Sequence, residues 1–217
     1  VGAHILHALA SELVAELGLA GKFVAGYVGT HGLAHHLETL LDAAARLRTL
    51  PGGEVFHFIL LGDGARKRAL VEDAARRGLD NVTFIDSVPK DQVARYWSLL
   101  DVSVIHLRKT QLFQTVIPSK LFECMGMGLP VLHGVIGESA QIVRDEGVGI
   151  VFDPENAVAL VAGLLTMQND NEAYQGFRAR CLAAAKKYDR SQLAAQMLQD
   201  LVRLTDEVAP AGFEGSR

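Results

Sequence analysis

The sequence predicts an α/β fold in which a single parallel sheet is covered by helices on both faces. Short apolar runs alternate with amphipathic segments along most of the 217 residues, which is the pattern of right-handed βαβ units. Runs such as Phe23–Val28 are apolar at nearly every position, as strands buried on both faces must be. Together these features predict a doubly wound sheet, whose ligands bind beyond the carboxyl ends of the strands.

Each element follows from its local pattern. Residues 1–21 are predicted to be a helical lead or linker, because leucines recur at helical spacing and glycines follow them. The predicted strands are Phe23–Val28, Val55–Leu61, Val82–Ile85, Asp101–His106, Leu129–Leu132 and Val148–Phe152. The predicted helices are Leu33–Leu47, Ala65–Arg77, one starting near Pro89, one starting at Pro118, Gly137–Asp145, Glu155–Met167, Glu172–Tyr188 and Ser191–Val208. The domain therefore covers about residues 22–205, and residues 206–217 are expected to be a disordered tail.

Composition excludes several classes of protein. The 21 basic and 25 acidic residues give a charge of −4, whereas a nucleic-acid-binding protein needs a basic surface. The apolar fraction of 49% permits a sizeable core, and no apolar run is long enough to span a bilayer. Cys124 and Cys181 form no CxxC pattern, and the carboxylates show no metal-binding spacing, so no metal is expected. The chain begins at Val1 rather than Met, and we interpret it as a fragment or processed chain of a cytoplasmic protein.

Four polar or glycine-containing segments follow predicted strands and should meet at one edge of the sheet. They are Gly29–Gly32, Gly62–Gly64, Asp86–Pro89 and Arg108–Ile117. The glycine spacing is not GxGxxG, and no acidic residue stands where a dinucleotide ribose would need it, which excludes a nicotinamide or flavin site. Arg108 to Val116 lacks periodicity, as loops that carry function often do.

The segment from Ile117 to Leu132 carries the most specific pattern. With Pro118 as the first helical residue, Ile117 takes the cap position, and the N–H groups of Ser119, Lys120 and Leu121 are free to receive an anion. Glu123, one turn further on, offers a carboxylate to sugar hydroxyls. The residue pattern alone favours an ordinary surface helix with a Lys120–Glu123 pair.

The pattern Pro-Ser-Lys-Leu-Phe-Glu-x-Met-x-x-Gly-x-Pro-Val from Pro118 resembles the signature helix of family 4 retaining glycosyltransferases. It is most similar to the branch that builds bacterial surface polysaccharides. Further pieces occur in the family's order: Val28–Gly32, Leu60–Gly64, Asn81–Ile85 with Val88-Pro89, and Tyr96–Ser103. The resemblance runs from about Phe23 to Leu204 and covers only the donor-binding, Rossmann-like half of such a GT-B enzyme.

The resemblance implies roles for individual residues. Glu123 matches the second Glu of the family's Glu-x7-Glu pattern, which contacts the donor ribose, while Thr115 replaces the first Glu, which contacts the sugar. The backbone of Val88 would read the base, and Lys67 would meet a phosphate. Many relatives place Arg and Lys after the first strand, where this chain has Thr30, so Arg108, Lys109 and Lys120 are expected to supply that charge. The full predicted donor-binding set is Gly29, Thr30, Gly32, Gly62, Lys67, Val88, Thr115, Ile117, Ser119, Lys120 and Glu123.

By this resemblance the complete protein is a hexosyl- or N-acetylhexosaminyltransferase that uses a nucleotide-sugar, with a UDP-sugar preferred, and needs neither a cofactor nor a bound metal. Its acceptor, lipid-linked or saccharide, would be held by a separate N-terminal domain at the cytoplasmic face of the inner membrane. The fragment alone would then be inactive. The alternatives are a non-catalytic nucleotide-binding module that regulates or scaffolds a partner, and a nucleotide-sugar epimerase of the same fold, whose acid–base residues are not recognisable here.

Overall fold

The computed structural model describes residues 12–208, which form a six-stranded, all-parallel sheet in the order β3-β2-β1-β4-β5-β6. The strands are β1 (Phe23–Val28), β2 (Phe56–Leu61), β3 (Val82–Ile85), β4 (Val102–His106), β5 (Val131–Gly134) and β6 (Gly149–Val151). The predicted fold class is confirmed.

Helices cover both faces of the sheet. They are α1 (residues 12–16), α2 (Glu38–Leu47), α3 (Lys67–Arg76), α4 (Val93–Trp97), α5 (Lys120–Gly126), α6 (Glu138–Glu146), α7 (Ala157–Asn169), α8 (Asn171–Lys187) and α9 (Arg190–Val208). Three short 3-10 turns, η1 (Leu33–His35), η2 (Gly53–Val55) and η3 (Gln111–Thr115), lie in the connections. None of the helices within residues 12–208 is both long and apolar enough to cross a membrane.

Alternating side chains of the strands contribute to two separate hydrophobic cores, one on each face of the sheet. One face carries Tyr27, Leu60 and Phe84 in register and packs against α2, α3 and α7. The other face carries Val28 and Ile105 and packs against α1, α4, α5, α6 and part of α8. Burial of both faces explains why the strands are apolar at nearly every position.

The chain winds outward from β1 to β3, then returns to the middle and winds outward again from β4 to β6. The neighbours β1 and β4 therefore form a topological switch point, where the following connections leave on opposite faces and open a crevice. This point lies between the turn after β1 and the loop before α5.

The predicted helix Leu33–Leu47 is wrong in one respect, because it is broken at His36. The structure has η1, then His36 in the left-handed conformation with φ of +41°, and only then α2. The carbonyl of His35 accepts a hydrogen bond from Nδ1 of His106 at 2.7 Å. This contact with β4, distant in sequence, holds the turn away from helical geometry.

The helix predicted to start at Pro118 instead begins at Lys120, and Ser119 rather than Ile117 occupies the cap position. The N–H of Leu121 donates to the carbonyl of Pro118 at 3.0 Å, a tight three-residue turn that precedes the helix. Leu121 therefore has no free N–H for an anion, contrary to the prediction. The next strand is also displaced: it begins at Val131 rather than Leu129.

The predicted strands Phe23–Val28 and Val82–Ile85 match the observed ones, and the boundaries of the other elements move by at most four residues. The N-cap of α7 is Asn156, whose side chain accepts from the N–H of Ala159. Of the predicted helical lead, residues 12–16 are helical, and 1–11 lie outside the described residues. Of the predicted tail, 206–208 belong to α9, and 209–217 lie outside the described residues.

Candidate functional site

The turns after the first three strands are joined by backbone hydrogen bonds at the carboxyl edge of the sheet. The N–H of Gly29 donates to the carbonyl of Leu61 at 2.9 Å, and the N–H of Gly62 donates to the carbonyl of Ile85 at 3.0 Å. The N–H of His31 also donates to the carbonyl of Asp63 at 2.8 Å. The predicted segments Gly29–Gly32 and Gly62–Gly64 are therefore joined to each other and to the end of β3, where Asp86–Pro89 begins.

Two glycines permit this close approach. Gly29 and Gly62 have φ values of +143° and +142°, a conformation in which other residues are strained. A Cβ at Gly62 would lie 1.9 Å from the carbonyl oxygen of Gly29, and one at Gly29 would lie 2.9 Å from Nζ of Lys120. Neither position accepts a side chain without displacing the site.

Lys120 brings a cation to the switch point. Leu121 and Cys124 of the same helix pack on the face opposite Tyr27, yet Nζ of Lys120 lies 4.0 Å from the centroid of the Tyr27 ring. The side chain must therefore pass over the carboxyl ends of the strands. Within residues 12–208 it forms no ion pair, and burial lowers the pKa of Lys120 to about 8. The interpretation as a surface Lys120–Glu123 pair is not supported.

Histidines surround the same aromatic ring. The rings of His31 and His35 lie 5.9 and 5.8 Å from that of Tyr27. Burial, followed by the positive charge of Lys67 for His31 and of Lys120 for His35, lowers both histidine pKa values to about 4. Both imidazoles are therefore neutral at pH 7.

His106 connects this turn to the loop after β6. Its Nδ1 donates to the carbonyl of His35, and its Nε2 accepts from the N–H of Glu155 at 2.9 Å, an arrangement that specifies a neutral ring. Glu155 has φ of +60°, and its carboxylate accepts from the N–H of Lys109 at 2.9 Å. The loops after β1, β4 and β6 are thus fixed relative to one another.

Lys67 is engaged in the structure of the turns. Its Nζ donates to the carbonyls of Gly62 and Ile85, at 2.7 and 3.2 Å, and pairs with Asp86 at 2.5 Å. Its side chain is 14% exposed, whereas that of Asp86 is 96% exposed. A pocket of about 450 Å³ lies beside this turn and is lined by Asp63, Gly64, Lys67, Arg68, Val71 and Glu72. Phosphate binding by Lys67 stays a prediction, and it would compete with Asp86.

The two basic residues of the loop after β4 differ in availability. Nζ of Lys109 lies 2.7 Å from a carboxylate oxygen of Asp153, so its charge is directed towards the loop after β6. Arg108 is exposed, and its backbone N–H donates to the carbonyl of Ala34 at 2.8 Å. Only Arg108 and Lys120 of the predicted trio are without a carboxylate partner within residues 12–208.

The remaining predicted residues lie along the same edge. Thr30, Thr115, Ser119 and Glu123 are exposed, while Gly32, Val88 and Ile117 are half-buried. The carbonyl of Thr30 accepts from the Tyr27 hydroxyl at 2.9 Å. Their placement is compatible with the predicted roles, which stay predictions. Among the described residues, no group of three or more His, Cys, Asp or Glu side chains is arranged to hold a metal ion.

Sequence reasoning missed Tyr27 and His35 as members of the site. The sequence pattern places Tyr27 within an apolar strand and His35 within a continuous helix, and it assigns neither side chain to the site. The one available signal was the replacement of the relatives' basic residues by a histidine-containing turn.

The comparisons with known proteins agree with this architecture. A family model described as Glycosyl transferases group 1 matches residues 22–170. No curated protein matches the chain. The HepE protein of Anabaena in complex with UDP matches with a TM-score of 0.77 and 20% identity, covering 90% of this chain and 53% of HepE.

Two further solved structures show the same fold. The C-terminal domain of the group 1 family protein LpcC from Francisella tularensis has a TM-score of 0.64 and 17% identity, covering 77% of this chain and 86% of that domain. WaaG, a glycosyltransferase involved in lipopolysaccharide biosynthesis, has a TM-score of 0.68 and 18% identity, and the match covers 83% of this chain and 47% of WaaG. The chain spans about half the length of the HepE structures.

Proposed function

Because the chain belongs to the group 1 glycosyl transferases, we propose that it is the donor-binding half of a family 4 retaining glycosyltransferase of the GT-B fold. Its ligand is a nucleotide-sugar, with a UDP-sugar as the preferred donor. The HepE structures contain UDP or UDP-glucose, and they share the fold of this chain. That likeness supports the choice of UDP as the first ligand to test.

The observation that carries the proposal is the ammonium group of Lys120. It is half-buried beside Gly29 and against the Tyr27 ring, without an ion-pair partner in residues 12–208. A buried charge is costly unless an opposite charge joins it. A diphosphate at the crevice between β1 and β4 supplies that charge, and Gly29 places no side chain beside the ammonium.

The rest of the donor follows from this anchor. With the diphosphate at Lys120, Glu123 on the same helix accepts hydrogen bonds from the ribose hydroxyls, and the turn at Val88 contacts the base. Arg108, on the rim, adds positive charge to the phosphates. Thr115 replaces a carboxylate of the family pattern, so any sugar contact there is made by a hydroxyl.

Sugar transfer is assigned to the longer protein. Retaining transfer needs donor and acceptor held together in a cleft that excludes water, and much of the rate comes from that positioning. A separate N-terminal domain holds the acceptor, and the fragment alone binds nucleotide without transferring a hexosyl or N-acetylhexosaminyl group. No cofactor or bound metal takes part.

The biological setting we propose is bacterial surface-polysaccharide synthesis, with a lipid-linked or saccharide acceptor at the cytoplasmic face of the inner membrane. The motif from Pro118 to Gly128 supports this setting, and the match to WaaG, whose own role is in lipopolysaccharide biosynthesis, is compatible with it.

The direct test is calorimetric titration of UDP, GDP, uridine and a panel of UDP-sugars into the chain. UDP is expected to bind more tightly than uridine, because only UDP carries the diphosphate. A transfer assay with and without the preceding domain then follows. Transfer by these 217 residues alone would contradict the assignment of activity to the longer protein.

The alternative of a non-catalytic nucleotide-binding module has one structural observation in its favour. Lys67 and Lys109 are both paired with carboxylates, which leaves fewer free cations than the family pattern implies. The same experiments separate the two functions: a regulatory module binds nucleotide and shows no transfer even in the full-length protein.

A further inference from the structure

His35 adjoins the Lys120 ammonium and has an unsatisfied polar atom. Its ring packs edge-on against Tyr27, at 5.8 Å and 66°, while Lys120 lies over the face of the same ring. The Nδ1 atom of His35 is buried and makes no hydrogen bond of normal geometry in the described chain, although the Gly32 backbone lies close enough to raise the His35 pKa. Most buried polar atoms in folded proteins are hydrogen-bonded, so such an atom beside a binding crevice points to a ligand.

The groups that face the two imidazoles of this turn are mostly basic. Besides burial, Lys120 of α5 and His106 of β4 lower the pKa of His35, whereas the backbone of Gly32 raises it through a hydrogen bond. His31 is faced by Lys67 of α3, by Lys120 and by Asp63 of the turn after β2. Asp63 is the one acidic group among them, and it lies on the side of His31. The surroundings of His35 therefore favour an arriving anion.

We propose that His35 is a further phosphate-binding residue and that it is protonated when a diphosphate occupies the crevice, so that donor binding takes up a proton from solvent. This inference rests on the proposed function. It adds a residue that the family pattern does not supply, and it gives the site a dependence on pH.

The direction of the coupling follows from charge. In the free protein, burial and then Lys120 lower the pKa of His35 to about 4, so the ring is neutral at pH 7. A diphosphate beside Lys120 offsets the positive charge that opposes protonation of His35. Its oxygens then accept a hydrogen bond from the N–H of the protonated ring. If binding takes up one proton, the affinity for UDP falls about tenfold for each unit by which the pH rises. UDP affinity should therefore decline as the pH rises above 7.

The test is calorimetric titration of UDP at pH 7 in buffers whose ionisation enthalpies differ, which measures the protons taken up per UDP bound. The wild-type chain is expected to take up more protons than His35→Asn, whose amide retains a polar group near Nδ1 but does not titrate. Uridine should show no uptake. The matched control is His57→Asn, at the far end of the sheet, where His57 hydrogen-bonds Thr83 at 2.8 Å; it should retain the wild-type uptake.

A second measurement needs no variant. Nuclear magnetic resonance of labelled histidine rings in the wild-type chain should show the pKa of His35 rising when UDP is added. UDP binding with equal proton uptake in wild type and His35→Asn, or an unchanged His35 resonance, would overturn the coupling and leave the proposed function intact. No binding of UDP in any buffer would overturn both.

Discussion

Replacing Lys120 by Met should stabilise the free protein and weaken its binding of UDP. Methionine is unbranched, apolar and only slightly shorter than lysine, and it removes the partly buried charge. Burial lowers the lysine pKa from 10.5 to about 8, a gap of about 2.5 pH units at about 1.36 kcal/mol each, or about 3 kcal/mol. Loss of the attraction between the ammonium and the Tyr27 ring lowers the stability of the variant by about 1 kcal/mol. The expected net gain in unfolding free energy at pH 7 is about 2 kcal/mol, or about 5 °C in melting temperature.

The effect should depend on pH in a defined direction. Between pH 8 and pH 10.5 the unfolded chain holds a proton on Lys120 that the folded chain has lost, so wild-type stability rises with pH in this window. The variant lacks the group and lacks this rise. The stability gap between the two proteins should therefore be largest below pH 8 and should shrink by pH 10.

Urea denaturation of both proteins from pH 6 to pH 10 measures this gap. The matched control is Lys90→Met, at an exposed lysine, which should change stability by less than about 0.5 kcal/mol at every pH. In calorimetry, Lys120→Met should lose about 1.5–3 kcal/mol of UDP affinity and little uridine affinity. A less stable Lys120→Met protein with unchanged UDP affinity would mean that the ammonium serves the fold and not the ligand.

Three further predictions concern glycine, carboxylate and histidine positions. Gly62→Ala should lower the free energy of unfolding by about 3 kcal/mol or more, because φ is +142° and the new Cβ would lie 1.9 Å from a carbonyl oxygen. Gly52→Ala, at φ of +77° with nothing within 4 Å of the new Cβ, should lower it by only about 1 kcal/mol. Equal losses of stability in urea denaturation would refute the close approach at Gly62. Glu123→Ala should weaken the binding of UDP and of uridine by the same amount, about 1.5–3 kcal/mol. Glu172→Ala, at an exposed position, is the control and should leave both affinities unchanged. Wild-type affinities of Glu123→Ala in calorimetry would exclude Glu123 as the ribose ligand. Burial lowers the pKa of His133 to about 3, so below pH 6.5 the unfolded chain binds more protons than the folded chain, and the stability should fall as the pH drops towards 4. The stability of His133→Gln should fall less steeply over the same range. Identical slopes for the two proteins would contradict this.

The sequence was sufficient for the fold class because burial on both faces constrains strands at every position. Runs such as Phe23–Val28 and Phe56–Leu61 had to be apolar throughout, and the helices between them carry a periodic apolar face. Boundaries were less predictable, since distant contacts decide them. The break at His36 depends on a hydrogen bond from His106, seventy-one residues after His35, which no local propensity contains.

The candidate site was predictable only in part, for a related reason. Turns at Gly29 and Gly62 could be expected to meet, since parallel strands end at the same edge. The order of the strands was not available from the sequence, so the adjacency of β1 and β4 was unknown. Without that adjacency nothing connects Lys120 with Tyr27, and Lys67 could not be assigned to Asp86 and the turn carbonyls rather than to a ligand.

Electrostatic attraction depends on where a charge lies in space and not on which segment supplies it. The resemblance implies that relatives place basic residues directly after the first strand, where this chain has Thr30 and a turn containing His31 and His35. The switch point brings the start of α5 to the same crevice, so Lys120 can deliver its ammonium to the position that the first turn leaves without one. The missing basic residues are therefore not, by themselves, an argument for a lost site. In the coupling we propose, what changes is the protonation chemistry, because the neutral imidazole of His35 beside a charged lysine gains a proton when an anion arrives, whereas arginines are charged in advance.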